Sequence, residues 1–250
     1  ERSATATTPP TATTVARLMR NIVPAVRAKR TQKLISATIA LVVIVCAGHA
    51  IANEADRQMA PLLTGLGGYT FPVSNCTSQA QQYFDQGLRL YYGFRFPESM
   101  VSFREAARLD SNCPMTHWGE ALAIAPNPNS RYLRFPDDPT AAGAAAIKRA
   151  MSLLDRASDQ ERGLIRALHT LYDASNKPGR EQRDQAYANA LKMLSTEHPD
   201  NAEIQTLYAE ALMKKSAWDY WTPDGKPRPG TFAAMTALQS VIDQDLNHPG

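Results

Sequence analysis

Apolar residues recur along this chain with the spacing of helices. After Ser78, positions Ala80, Tyr83, Phe84, Gly87, Leu88 and Tyr91 fall at i, i+3, i+4, i+7, i+8 and i+11, one face of a helix. Ser78-x-x-Gln81 predicts a capping box at its start. Phe96-Pro97 breaks that helix and opens a second, with Met100, Phe103, Ala106 and Ala107 on its inner face. Pro114 opens a third, carrying Met115, Trp118, Ala121, Leu122 and Ala125. Residues 126–137 read as loop, with two prolines, two asparagines and no helical period. Asp138-Pro139 then predicts the cap of an Ala-rich helix to about Ala157. A second capping box, Ser158-x-x-Glu161, opens a helix to about Ala174. Further helices are predicted over about 181–197, 202–217 and 231–246. The last two are separated by a Pro/Gly-rich loop, residues 222–230.

No segment alternates like a strand, so the chain is predicted to be all-α: eight helices in four hairpins, roughly 77–110, 114–157, 159–197 and 202–246. Hairpins with one apolar face each cannot be stable alone and are expected to stack into an α-α superhelix.

The first 76 residues read differently. Residues 1–26 fit no targeting signal and are expected to be disordered. Arg27, Lys29, Arg30 and Lys33 form a basic region, Leu34–Cys46 is largely apolar, and Ala50-Ile51-Ala52 is a small-x-small cleavage site. Residues 27–52 therefore read as a signal peptide, with the mature chain starting at Asn53, or as an uncleaved anchor through residues 34–52. Both place the protein outside the cytoplasm, periplasmic or secreted in the first case and inner-membrane anchored in the second. Residues 53–76 read as a linker.

Charge follows the same division. Seven of the 27 Lys/Arg but one of the 24 Asp/Glu lie in residues 1–52, so the formal charge of +3 belongs to the leader and the remainder is mildly acidic. That composition carries no electrostatic footprint for nucleic acid. Cleavage would remove Cys46 and leave Cys76 and Cys113, a pair expected to form a disulfide, with two unpaired thiols as the alternative.

The helical part resembles the tetratricopeptide repeat. Tyr83, Gly87, Ser99, Phe103 and Ala106 occupy its aromatic and small-residue positions, and His117 and Ala121 begin the next repeat. Residues 86–94, 102–110, 118–123 and 218–225 are also similar to a narrower group of bacterial exported tetratricopeptide proteins. The resemblance implies a solenoid over residues 77–250 and assigns no chemistry. Such arrays end in a polar-faced cap. The last helix instead repeats Phe232, Met235, Leu238 and Ile242, and Asn247-His248-Pro249-Gly250 reads as a turn into another helix. The natural protein is expected to continue with more repeats.

Three groups of residues could carry chemistry. Cys113, His117 and Glu120 share a helix face at i, i+4 and i+7 and are possible transition-metal ligands. Cys113-Pro114-Met115-Thr116-His117 also resembles a c-type haem attachment lacking one Cys. Where some of the similar exported proteins have that second Cys this chain has Thr116, which weakens a haem or metal reading, and no cofactor is expected. Trp218, Asp219, Trp221 and Asp224 lie in a loop whose Thr222-Pro223-Asp224-Gly225 suits a type I turn. With Asn127 and Asn129 from the other long loop, they could form a ligand pocket at one end of the array.

No Ser-His-Asp arrangement, phosphate-cradling glycine loop or His-Glu-x-x-His occurs, so no catalytic residue is named. The expected function is a scaffold for a protein or peptide partner. The alternatives are a periplasmic metal- or small-molecule-binding protein using those two loops, and an enzyme completed by further C-terminal repeats.

Overall fold

The structure is a computed structural model, and it describes residues 58–126, 140–175 and 178–250. The expectations for residues 1–57, including the disordered extension and the signal peptide or anchor, fall outside the described residues, as do Asn127 and Asn129. Gln58–Gly250 make up one compact unit.

Among the described residues the fold is all-helical. The helices are α1 (Ser78–Tyr92), α2 (Phe96–Leu109), α3 (Pro114–Ile124), α4 (Ala141–Met151), α5 (Asp159–Tyr172), α6 (Arg180–Glu197), α7 (Ala202–Lys215) and α8 (Thr231–Gln244). One short 3-10 turn spans Leu154–Arg156, and a single antiparallel bridge joins Trp221 to Pro227. Each helix packs on its neighbour in sequence, most extensively α1 on α2, α3 on α4, α5 on α6 and α7 on α8. The first helices of successive hairpins also touch: α1 meets α3 and α3 meets α5.

Helix starts follow local chemistry. Pro97 and Pro114 sit in the first turns of α2 and α3, where a missing N–H costs nothing. Ser158 and Glu161 form the expected capping box of α5. Asn201 caps α7 by accepting from the Ile204 N–H at 3.1 Å. Two starts differ from the sequence expectation. Thr77, not Ser78, caps α1, accepting from Ala80 N–H at 3.3 Å, because the Gln81 carboxamide turns away to hold another segment. Thr140 caps α4 through Gly143 N–H, and that helix ends at Met151 rather than near Ala157, where the chain tightens into the 3-10 turn.

The core is continuous from α1 to α7 and organised around Phe103. Its ring is fully buried and meets Phe84 edge-on at 5.4 Å. Gly87 of α1 and Gly119 of α3 flank it so closely that a Cβ would stand 2.7 Å and 2.3 Å from ring carbons. Three helices therefore close on one ring because two of them present no side chain there. Trp118 packs beside Phe84 and donates its indole N–H to the Leu164 carbonyl at 3.2 Å, linking α3 to α5. Cys76 and Cys113 are joined as a disulfide with Cα atoms 5.0 Å apart, fastening the stretch before α1 to the start of α3.

Phe103→Ala should cost about 3–5 kcal/mol, the price of an empty aromatic site. Gly119→Ala should cost about 1–2 kcal/mol, although alanine is the better helix former, because overpacking outweighs propensity. Urea unfolding midpoints measure both.

Candidate functional site: an extended segment and a buried tyrosine–carboxylate cluster

Residues 58–76, expected as a linker, contain no helix and run along α1. Their backbone polar groups are met by helix side chains. Met59 N–H donates to Glu105 at 2.9 Å, Leu63 N–H to Gln86 at 2.7 Å, and Phe71 N–H to Asp85 at 3.1 Å. Val73 N–H donates to Gln81 at 2.9 Å and Ser74 N–H to Glu161 at 2.6 Å. In return the Gln81 carboxamide donates to the Phe71 carbonyl at 2.9 Å, that of Gln86 to the Pro61 carbonyl at 3.0 Å, and Arg89 to the Tyr69 carbonyl at 2.6 Å. Gln81 and Gln86 each use one primary amide as a neighbouring strand uses a peptide group, accepting and donating together. Asp85, Gln86, Glu105 and Glu161 are all buried. Burial raises the pKa of Asp85, opposed by the bonds from Phe71 N–H and Gln81 and by the charge of Arg89. The Arg108 guanidinium, paired with Glu105 at 2.8 Å, holds the Glu105 carboxyl below its ordinary range.

At Tyr69 this segment reaches α7. The buried Glu203 carboxylate accepts from Tyr69 Oη at 2.5 Å and from Tyr92 Oη at 2.7 Å. His248 Nε2 lies 3.3 Å from the same carboxylate and 3.1 Å from Tyr69 Oη. Its Nδ1 accepts from Gly250 N–H at 3.1 Å, which leaves Nε2 as the donor towards Glu203. Two turns along α7, Glu210 accepts from Tyr91 Oη through both oxygens, at 2.7 and 2.8 Å. Burial and the neighbouring Glu203 charge push both Tyr69 and Tyr92 well above the usual phenol range. Burial also raises Glu210, with Lys214 opposing and Glu203 reinforcing the shift.

Two cavities flank the cluster. One, of about 390 Å³, is lined by Tyr69, Phe71, Glu161, Glu203, Asp245 and His248, among others, and is rich in acceptors. The other, of about 230 Å³, is walled by Tyr91, Tyr92, Phe94 and Phe96 with Glu210 and Leu238.

The sequence-derived candidates lie elsewhere. Trp218 and Trp221 are half exposed, and Trp221 meets Phe232 edge-on at 6.1 Å. Asp219 pairs with Arg228 at 2.9 Å and Asp224 with Lys226 at 2.8 Å. Gly225 N–H closes the turn onto the Thr222 carbonyl at 2.9 Å. None of these residues lines the two cavities above. Cys113, His117 and Glu120 are not brought together as a donor set. The Cys113 sulfur is bonded to Cys76, His117 Nε2 faces the Ser111 carbonyl at 3.1 Å, and Glu120 pairs with Arg104 at 2.6 Å. Burial lowers the pKa of His117. Among the described residues no group of three His, Cys, Asp or Glu could hold a metal ion, and no helix is long and apolar enough to cross a membrane.

Glu203 and Glu210 were not singled out from sequence, although a signal was present. They stand seven residues apart among Ile204, Leu207 and Ala211, acids set into an apolar face.

Comparison with known proteins finds no match to this chain: no family model, no curated protein and no solved structure.

The raised Glu210 fixes a pH dependence. A carboxyl that holds its proton more tightly when folded contributes fully below its unfolded value of 4.5 and loses that contribution as pH rises. Glu210→Gln should therefore gain stability relative to the parent as pH climbs above 4.5, read as diverging urea midpoints. Glu203→Ala should cost about 2–3 kcal/mol by removing the acceptor that the Tyr69 and Tyr92 hydroxyls share.

Proposed function

We propose that this chain is an exported tetratricopeptide-like scaffold that binds an extended segment of a protein or peptide partner. One observation carries the reading: helix side chains of the array already hold an extended stretch of backbone by its own N–H and C=O groups. Such a grip recognises the common feature of every extended peptide and leaves sequence preference to the pockets between the bonds. A partner segment would meet that chemistry by taking the place of residues 58–75 on the same side chains.

The order of packing supports the solenoid. Hairpins follow one another along the chain, and the first helices of the first three hairpins meet in turn. Phe103, Gly87, Tyr83 and Ala106, which occupy repeat positions in the resemblance, are all in the core around one ring. The Cys76–Cys113 disulfide supports a periplasmic or secreted location, since such bonds persist in oxidising compartments. Residues 27–52 would then serve as a cleaved leader, or residues 34–52 would hold the array at the inner membrane.

Peptides selected from a random library against the full chain test the reading. Replacing their backbone N–H groups by N-methyl should weaken binding about tenfold, the loss of roughly one hydrogen bond. Equal binding of N-methylated and parent peptides, or failure to select any binder, would remove it.

A further inference from the structure

The cavity beside Glu210 has a construction that the scaffold reading does not use. Its walls are aromatic and set at steep angles to one another. Tyr91 and Tyr92 stand 5.5 Å apart at 77°, Tyr91 and Phe96 5.5 Å apart at 72°, and Phe94 and Phe96 6.3 Å apart at 53°. Tyr91 and Phe96 are almost wholly buried, so the rings open to the space are those of Tyr92 and Phe94. The lining is mostly apolar, and its polar groups come from Thr206, the two tyrosines, the backbone of Pro249 and Gly250, and the Glu210 carboxylate. That carboxylate is held in place by the Tyr91 hydroxyl, which bonds both of its oxygens.

Phe94 is the second observation. It follows Gly93 at the end of α1, where Phe94 N–H bonds the Tyr91 carbonyl at 3.0 Å and Arg95 N–H bonds the Leu90 carbonyl at 2.8 Å. In this helix ending the residue in the left-handed conformation is usually glycine. Here it is Phe94, with φ of 57°, while the available Gly93 has φ of −78°. A bulky residue at positive φ is strained, and such strain gathers at ligand sites. The Phe94 ring remains 61% exposed at the cavity, so burial in the core does not account for it.

We propose that this cavity binds a small methylated ammonium ion, its head held against the rings of Tyr92 and Phe94 above the buried Tyr91 and Phe96, and its charge answered by Glu210. Aromatic faces attract cations, and desolvated sites strengthen the attraction. The chemistry excludes other classes. An anion meets the Glu210 carboxylate. A primary ammonium brings three N–H donors, each of which needs an acceptor, into a space lined mostly by aromatic and aliphatic carbon. A methylated ammonium needs no hydrogen bond and offers methyl groups to the rings. The volume of about 230 Å³ suits a small ion better than a drug-sized ligand.

Titration calorimetry on the full chain tests this with choline, its neutral carbon isostere 3,3-dimethylbutan-1-ol, and ethanolamine. Choline should bind, and the other two should bind at least about tenfold more weakly. Glu210→Gln and Phe94→Gly should each weaken choline about tenfold. Phe94→Gly, relieved of its left-handed side chain, should unfold at no lower urea concentration than the parent, separating lost binding from lost folding. Equal affinity for choline and its isostere would overturn the proposal, as would choline binding unchanged in both variants. No choline binding at millimolar concentration, or binding to phosphatidylcholine vesicles without binding of free choline, would overturn it too.

Discussion

A buried polar group without a hydrogen-bond partner costs more than most packing contacts return, and this protein buries many. Asp85, Gln86, Glu105, Glu161 and Glu203 lie on four different helices and are almost wholly inaccessible. On bare helices they would be serious defects. Part of their pairing comes from a non-helical stretch, residues 58–75, which passes over them and supplies backbone N–H groups at Met59, Leu63, Phe71 and Ser74 and the hydroxyl of Tyr69. The helices require the segment to satisfy their acceptors, and the segment requires the helices because it has no secondary structure of its own. The disulfide at Cys76 anchors the end of this stretch where it enters α1.

The same dependence orders the rest of the site. Packing around Phe103 fixes α1 against α2 and α3, and so fixes where Gln81, Asp85 and Gln86 point. From α1, Tyr91 and Tyr92 reach across to Glu210 and Glu203 of α7, joining the first and last hairpins through side chains. Two cavities of opposite character result on either side of one carboxylate cluster, one walled by aromatic rings and the other by acceptors.

Much of the fold was legible because helices advertise themselves locally. The period of Ala80, Tyr83, Phe84, Leu88 and Tyr91 marks a helix face, and apart from α4, which ends at Met151 rather than near Ala157, the helices fall close to their expected bounds. The site was much less legible. Residues 58–75 have no period, so nothing local distinguishes a stretch held by long-range hydrogen bonds from a loose linker. Tyr69 meets Glu203 across 134 residues, a distance over which sequence pattern carries no information. Trp218 and Trp221 drew notice as aromatics beside a turn, yet they line neither cavity described here. The cap of α1 moved from Ser78 to Thr77 because Gln81, free to complete a capping box by pattern alone, holds Phe71 and Val73 instead.

The central claim is that helix side chains grip an extended backbone. Hydrogen–deuterium exchange resolved to single amides tests it most directly, because the amides concerned lie outside every helix. Leu63, Phe71, Val73 and Ser74 should exchange slowly, with protection comparable to that of neighbouring α1 amides, while Gly67 and Gly68, with no such partner, should exchange freely. Exchange of those first four at the rate of an unstructured peptide would contradict the account.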